Sequence, residues 1–326
     1  MSLRSRLERH LNSVWYSSQQ PPLLYRGLEQ LHRGLAANRF SRPSEKPPVP
    51  LIVVGNLNAG GSGKTPAVMA LVDALKSRYR VAVISRGYGG QAGAYPLLVG
   101  RESNVFESGD EALLIARATK VPVWVDPDRH RAMTTAIEKS GAEVIVSDDG
   151  LQHRKLPRSH EICLVDGSRG FGNGHLIPAG PLRQPLSRLD SVDQFLIKSE
   201  GLDWPGARRF ELEVIGIRSP EGVLDESLAA WEGRSIDALC ALANPKQFEA
   251  SLHSLGIRVR LHAFPDHHCY TKSDLDGLAP PVLTTAKDAV KLDRWRAALD
   301  LHVLEVRARL PQETISAVLQ HIEEFA

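Results

Sequence analysis

Asn58-Ala59-Gly60-Gly61-Ser62-Gly63-Lys64-Thr65 is the segment whose residue types and spacing bear most directly on chemistry. It follows the apolar run at residues 51–54 and opens a stretch of helical character, the context a Walker A loop requires. Glycines there let backbone N–H groups turn inward around phosphate oxygens, and a helix N-terminus adds partial positive charge. In such a loop Lys64 reaches the β- and γ-phosphates of ATP, and the Thr65 hydroxyl ligates Mg2+. The usual first glycine is replaced by Asn58, which tolerates left-handed backbone and so lets the loop form. The bland alternative is a Gly-rich turn with no ligand. Gly-Lys-Thr at a strand-to-helix junction counts against it.

Carboxylates follow in two places. Val144-Ile145-Val146-Ser147-Asp148-Asp149-Gly150 is an apolar strand ending in two acids. A strand that delivers Asp beside a P-loop holds Mg2+ or its waters, so Asp148 and Asp149 join Thr65 as candidate metal ligands. A polar turn after a strand is the competing explanation, weakened by the P-loop upstream. Gly109-Asp110-Glu111 is a second acidic pair, read either as a helix N-cap with a first-turn Glu or as site residues, with Glu111 a further candidate metal ligand. Ser85-Arg86-Gly87-Tyr88-Gly89-Gly90 follows another strand and has the composition of a ligand-shaped loop or a mobile surface loop.

A P-loop does not by itself specify a kinase. GTPases need a guanine-reading Asn-Lys-x-Asp, and the nearest run, Thr285-Ala286-Lys287-Asp288, lacks the Asn. Partitioning and metallochaperone ATPases often carry a lysine early in the loop, where this chain has Asn58-Ala59-Gly60. An assembly ATPase without a small-molecule acceptor remains the alternative from another functional class. Asp266-His267-His268-Cys269 spells the palmitoyl-transferase signature, but the spans and cysteine clusters of those enzymes are missing. Adjacent side chains seldom converge on one zinc, which disfavours a metal site there.

The elements that position these residues alternate. Short apolar runs at 51–54, 81–85, 121–125, 144–147 and 162–166 predict buried strands, with amphipathic helices at 65–77 and 110–118 between some of them. This is an α/β pattern: a P-loop NTPase-like parallel sheet with helices on both faces. A polar stretch with Pro205 and Gly206 follows the run at 195–198 and places a boundary there. Runs at 236–242, 259–263, 282–285 and 302–306 predict strands of a smaller C-terminal α/β domain. The expected division is 1–45, 46–205 and 206–326.

The 326 residues, 42% of them hydrophobic and 24% charged, suffice for such cores. A net charge of +2, from 40 Lys+Arg against 38 Asp+Glu, offers no reason to invoke nucleic acid. Three scattered cysteines argue against a disulfide framework and fit a reducing compartment. No apolar run reaches the ~18 residues of a transmembrane helix, and the charged N-terminus lacks a signal-peptide core. The N-terminal segment instead shows two leucine stripes, Leu3, Leu7, Leu11 and Val14, then Leu24, Leu28, Leu31 and Leu35. Arg4, Arg6, Arg9, Arg26 and Arg33 are interleaved, Pro21-Pro22 separates the stripes, and Pro43, Pro47, Pro48 and Pro50 follow. This fits a pair of interfacial helices on an anionic membrane, with docking on the protein's own core as the competing explanation.

One set of segments occurs in a specific order: Asn56-Leu57, the P-loop through Pro66, Ser85-Arg86-Gly87-Tyr88-Gly89, Gly109-Asp110-Glu111, Ser147 to His153, and Pro178-Ala179-Gly180-Pro181-Leu182-Arg183. Ala243-Asn244-Pro245 with Phe248, Phe264-Pro265-Asp266-His267-His268, and Thr284 to Asp288 complete it. The set, spanning roughly residues 50–290, resembles the tetraacyldisaccharide 4'-kinase family. The resemblance implies a P-loop fold with two α/β domains, ATP as donor and Mg2+ as cofactor. It implies the 4'-hydroxyl of a tetraacylated glucosamine disaccharide 1-phosphate as acceptor, met at the cytoplasmic face of the bacterial inner membrane. The family's proposed base and its partner fall on Asp110 and His267, and its Walker carboxylates on Asp148 and Asp149. Ala286 stands where the family more usually has Glu. Arg169, Arg183 and Arg188 are left as equal candidates for the acceptor's phosphate.

Overall fold

The structure, a computed structural model, describes residues 3–36 and 45–325. Pro43 and the side chains of Leu3, Arg4, Arg6, Arg9 and Leu35 lie outside what is described. Two helices open the chain, α1 (Leu3–Trp15) and α2 (Leu23–Ala36). The strand leading to the P-loop, β1 (Leu51–Asn56), is buried along its whole length. Its side chains alternate between two cores: Ile52 and Val54 pack on one face of the sheet, Leu51 and Val53 on the other. That is why the run reads as continuously apolar rather than alternating.

β1 lies between two parallel neighbours, β5 (Val144–Asp148) and β6 (His160–Asp166). Beyond β5 come β2 (Val81–Ser85), β4 (Val123–Val125) and the short antiparallel edge β3 (Leu97–Val99). Beyond β6 come β7 (Gln194–Lys198) and β8 (Arg208–Arg218). β8 is shared. Its start runs parallel to β7, and its remainder pairs antiparallel with β13 (Leu301–Arg309). Through it the sheet continues into β12 (Val282–Thr285), β10 (Ser235–Cys240) and β11 (Arg258–Ala263), all parallel to one another, while β9 (Leu224–Asp225) forms a hairpin on β8. The result is one mixed, mostly parallel sheet of thirteen strands.

Every strand expected from an apolar run is present. β8 was not expected, because Arg209, Glu211 and Glu213 alternate with Phe210, Leu212 and Val214 and dilute the apolar signal. Helices α3 (Lys64–Leu75) and α5 (Asp110–Thr119), the latter preceded by the single turn α4 (Val105–Ser108), cover one face of the P-loop half, and α6 (Arg129–Ser140) covers the other. Helices α7 (Pro245–Ser254) and α8 (Ala286–Leu292) belong to the later strands. The last helix, α9 (Gln312–Glu323), returns to the first half, where Val318 and Ile322 join its core. Among the described residues no helix is long and apolar enough to cross a membrane.

Candidate active site

The phosphate loop sits where β1 hands over to α3, with Lys64 as the first residue of that helix. Left-handed turns are made by Gly60 (φ 110°) and Gly63 (φ 81°), not by Asn58. The expectation that Asn58 serves as a substitute for a left-handed glycine is therefore corrected. Its side-chain amide donates to the Gly170 carbonyl at 2.7 Å, a tether no glycine could supply. Two backbone bonds fasten the same loop: Ala59 N–H donates to Pro181 O (2.7 Å), and Arg183 N–H donates to Leu57 O (2.6 Å). Ala59, Gly60, Gly61, Ser62, Gly63, Lys64 and Thr65 all line one cleft of about 1350 Å3.

β5 delivers the Walker carboxylates to that cleft. Asp148 is 1% exposed, and its Oδ1 has no hydrogen-bond partner among the described residues. Burial, then the charges of Glu111 and Asp149, push its carboxyl up to about 7 against the pull of Lys64 and Arg129. Asp149 stands in left-handed backbone (φ 51°), unusual for a non-glycine residue. Arg183 grips it in a fork, Nη1 to Oδ2 at 2.9 Å and Nη2 to Oδ1 at 2.8 Å, and Lys64 Nζ lies 3.8 Å away. Burial opposes its charge, but Lys64 and Arg183 hold it well below the usual carboxylate range. Lys64 also donates to Asn56 Oδ1 at 3.2 Å.

A second cluster joins the two halves of the molecule. Gly109 is the N-cap of α5, and Asp110 is the first helical residue, so the cap expected at Asp110 falls one position earlier. The corner must be glycine: a Cβ at Gly109 would sit 2.6 Å from the Tyr88 carbonyl. The loop at 85–90 is thus packed on this corner. The Asp110 carboxylate accepts the Glu111 N–H at 2.9 Å and lies 3.0 and 3.1 Å from His267 Nδ1. His267 is held by the turn after β11 in left-handed backbone (φ 59°), and the Tyr88 ring lies 4.7 Å from its own. Burial would raise the Asp110 carboxyl, but the hydrogen bond from His267 and the charges of Lys287 and Lys291 bring it down to about 2. His267, Glu111, Asp148 and Asp149 line the main cleft, whereas Asp110 lines a small adjoining pocket that shares Tyr88 and His267 with it. His268 turns away to Asp274, 3.1 Å distant.

The three candidate arginines separate by environment. Arg188 is 3% exposed and paired with the buried Glu161. Arg183 holds Asp149. Arg169 stacks on Tyr16, 4.5 Å from ring centroid to guanidinium, lines the cleft and lies against Gly60. The sequence assigns no role to two basic residues. Arg129, 2% exposed, donates to the Asp148 carbonyl at 2.8 Å, and no motif marks it. Lys287 contacts Glu111 and Asp266 at 3.1 and 3.0 Å. The sequence names it only within the Thr284 to Asp288 segment, without a role; a further signal is a lysine in the first turn of a helix, where the macrodipole disfavours positive charge.

A model of the family described as tetraacyldisaccharide-1-P 4'-kinase matches residues 22–323. A tetraacyldisaccharide 4'-kinase of Alcanivorax borkumensis is 46% identical over 287 residues, covering 86% of each chain. That of Pseudomonas aeruginosa is 40% identical over 299 residues, covering 88% of this chain and 90% of its own. Among solved structures, LpxK from Aquifex aeolicus in complex with ATP superposes with a TM-score of 0.71 at 30% identity, covering 98% of this chain and 99% of that one.

Proposed function

The chain belongs to the tetraacyldisaccharide-1-P 4'-kinase family, and from that premise we propose that it transfers the γ-phosphate of ATP to the 4'-hydroxyl of a tetraacylated glucosamine disaccharide 1-phosphate in lipid A biosynthesis. The observation that carries the mechanism is that the P-loop cleft is also lined by His267, whose partner Asp110 lines the small pocket adjoining it, the two coming from different halves of the molecule. The division into a P-loop core at 46–205 and a smaller domain at 206–326 belongs to this proposal.

In this mechanism the P-loop N–H groups and Lys64 neutralise charge on the transferring phosphoryl group. The residues present suit Mg2+: Thr65 offers a hydroxyl, and Asp148 offers a buried oxygen with no partner, in a setting of crowded carboxylates that a cation would relieve. Asp149 and Glu111, engaged with Arg183 and Lys287, would complete the surroundings of the metal. Bound there, Mg2+ supplies positive charge against the phosphate oxygens. Asp110 orients the acceptor hydroxyl and takes its proton as the new oxygen–phosphorus bond forms and the bond to the leaving ADP breaks. Held near 2, it is ionised at neutral pH but a weak base, so it takes the proton only as bond formation to phosphorus makes the hydroxyl acidic. His267 fixes its direction.

The acceptor is a lipid, and the outward leucines suit its setting. Leu7, Leu23, Leu24, Leu28 and Leu31 are 53, 80, 70, 43 and 61% exposed on α1 and α2. We place this face on the cytoplasmic leaflet of the inner membrane, with Arg169 turned to the acceptor's phosphate. The test is incubation with γ-labelled ATP and a lipid A disaccharide precursor. Label should enter the lipid with wild-type protein and not with Lys64→Ala or Thr65→Ala. ATP hydrolysis with unlabelled lipid would instead support an assembly ATPase.

A further inference from the structure

Lys287 has no role in the chemistry just described, yet three acceptors converge on its ammonium. Glu111 Oε1 lies at 3.1 Å, Asp266 Oδ1 at 3.0 Å and His267 Nε2 at 3.4 Å. An ammonium has three N–H donors and no lone pair, so all three contacts run outward from Lys287. The side chain is 15% exposed, and it stands at the second residue of α8, where the helix dipole opposes a cation. The two carboxylates offset that opposition. They come from different halves of the molecule: Glu111 from the first turn of α5, Asp266 from the turn after β11.

The contact with His267 has a consequence for the pair. Nε2 has Lys287 Nζ at 3.4 Å and Asp266 Oδ2 at 3.7 Å; the ammonium is the nearer, within hydrogen-bond reach, and only a lone pair can meet it, so the neutral ring carries its proton on Nδ1, the atom 3.0 Å from Asp110 Oδ2. The histidine then donates to Asp110, and its one basic nitrogen is occupied. We propose that Lys287 is a positioning residue that sets which member of the pair is the base: by covering Nε2 it prevents His267 from taking the acceptor's proton and leaves that task to the Asp110 carboxylate. It also ties Glu111 to the Asp266–His267 turn, which sets the approach of the ring to α5. Lys291, 3.8 Å from Asp110, lies on the carboxylate side and does not face Nε2.

The kinetic part of this inference rests on the kinase reading above; the spectroscopic part needs neither lipid nor ATP, so the two can fail separately. In histidine-15N-labelled full-length protein, assigned by comparison with His267→Gln, wild-type His267 should show a protonated Nδ1 and an unprotonated Nε2. Lys287→Met, which keeps the stem and removes the donors, should give a mixture of tautomers or Nε2–H. Lys287→Arg should retain the wild-type pattern. With lipid acceptor, Lys287→Met should lower kcat about 10- to 100-fold with the KM for ATP within about twofold, the scale of a misplaced reacting group. Adding Lys287→Met to His267→Ala should cost several-fold less than the same change costs in the wild type, since the contact the two residues share is already gone. A wild-type tautomer pattern in Lys287→Met, or losses that multiply in the double variant, would overturn the assignment. A plain interdomain tie would lower stability and leave the tautomer unchanged.

Discussion

His267 Nδ1 lies 3.0 Å from Asp110 Oδ2 although 157 positions separate the two residues. The contact exists because β11 ends and α5 begins beside the same cleft, one from each half of a continuous sheet. If Asp110 is the base, Asp110→Asn should reduce kcat by about 100-fold or more, since general base catalysis is typically worth 10²–10⁴. The KM for ATP should barely move, because Asp110 lies outside the P-loop. His267→Ala should reduce kcat less, and the double variant should lose less than the product of the singles. Steady-state kinetics with lipid acceptor decides it: wild-type kcat in Asp110→Asn rules the dyad out.

The three arginines that sequence left equivalent should now part in three different assays. Arg188→Ala removes one of the two guanidiniums on the buried Glu161, leaving Arg158 at 3.1 Å, and should cost about 1.5–3 kcal/mol, seen as a fall in Tm. Arg183→Lys keeps the charge but not the fork on Asp149, and should lower kcat about tenfold or more with little change in Tm. Arg169→Ala should raise the KM for lipid more than that for ATP. Similar effects of all three on a single parameter would refute the partition.

What was legible in sequence was local. A Gly-rich loop between an apolar run and a helix, and two acids closing another apolar run, depend on neighbours in the chain. Lys64, Thr65, Asp148 and Asp149 could therefore be named from pattern and were found around one cleft. The meeting of Asp110 with His267 is long-range, and no periodicity carries it; only the family resemblance named the pair. Arg129, and any role for Lys287 within its named segment, stayed hidden because each is an ordinary basic residue on a helix until its acidic or carbonyl partner is seen. β8 was missed because it is half exposed, so charges interrupt its apolar residues. Asn58 was assigned a backbone role when its side chain performs the task.

Glu29 links the N-terminal helices to the site loop and gives a pH-dependent prediction. This carboxylate is 2% exposed on α2, receives the Leu176 N–H at 3.1 Å and Arg33 at 3.2 Å, and lies 2.7 Å from His175 Nδ1. Burial raises its proton affinity, but these hydrogen bonds outweigh it and the group is shifted below its ordinary value. A carboxylate with a lowered folded pKa stabilises above its unfolded value of about 4.3, and the contribution fades as pH falls below that. Glu29→Gln should therefore lower Tm at pH 7, and the gap to wild type should narrow as pH drops through about 4. A gap that widens in acid contradicts the pairing. The Leu176 end of this contact precedes the Pro181 that holds Ala59, so the variant should also raise the KM for lipid.

The leucine face of α1 and α2 offers the most direct test of where the enzyme works. These helices do dock on the protein: Trp15 Nε1 donates to Pro178 O at 2.9 Å, Asn173 N–H donates to Trp15 O at 2.8 Å, and Glu29 is buried. On α1 the stripe residue Val14 shares in the docking, its carbonyl accepting from Asn173 Nδ2 at 3.3 Å, but on α2 Leu24, Leu28 and Leu31 remain 70, 43 and 61% exposed. Deleting residues 1–40 would remove both the docking contacts and the leucines, so its effects could not be separated. Substituting Leu24, Leu28 and Leu31 by Glu leaves Trp15 and Glu29 in place. Each leucine inserted in a bilayer contributes roughly 1 kcal/mol for the area it still exposes, so three contribute about 3 kcal/mol, or more than a hundredfold in partitioning. The introduced carboxylates add repulsion from anionic lipid. In flotation with anionic vesicles the triple variant should stay in the soluble fraction at lipid concentrations where wild type floats. Its Tm should change little, because most of this leucine surface is in water in the folded and the unfolded chain alike. Its KM for lipid acceptor should rise at least about tenfold while that for ATP stays within about twofold. Flotation equal to wild type would show that the stripe does not meet the membrane and that the acceptor reaches the cleft another way.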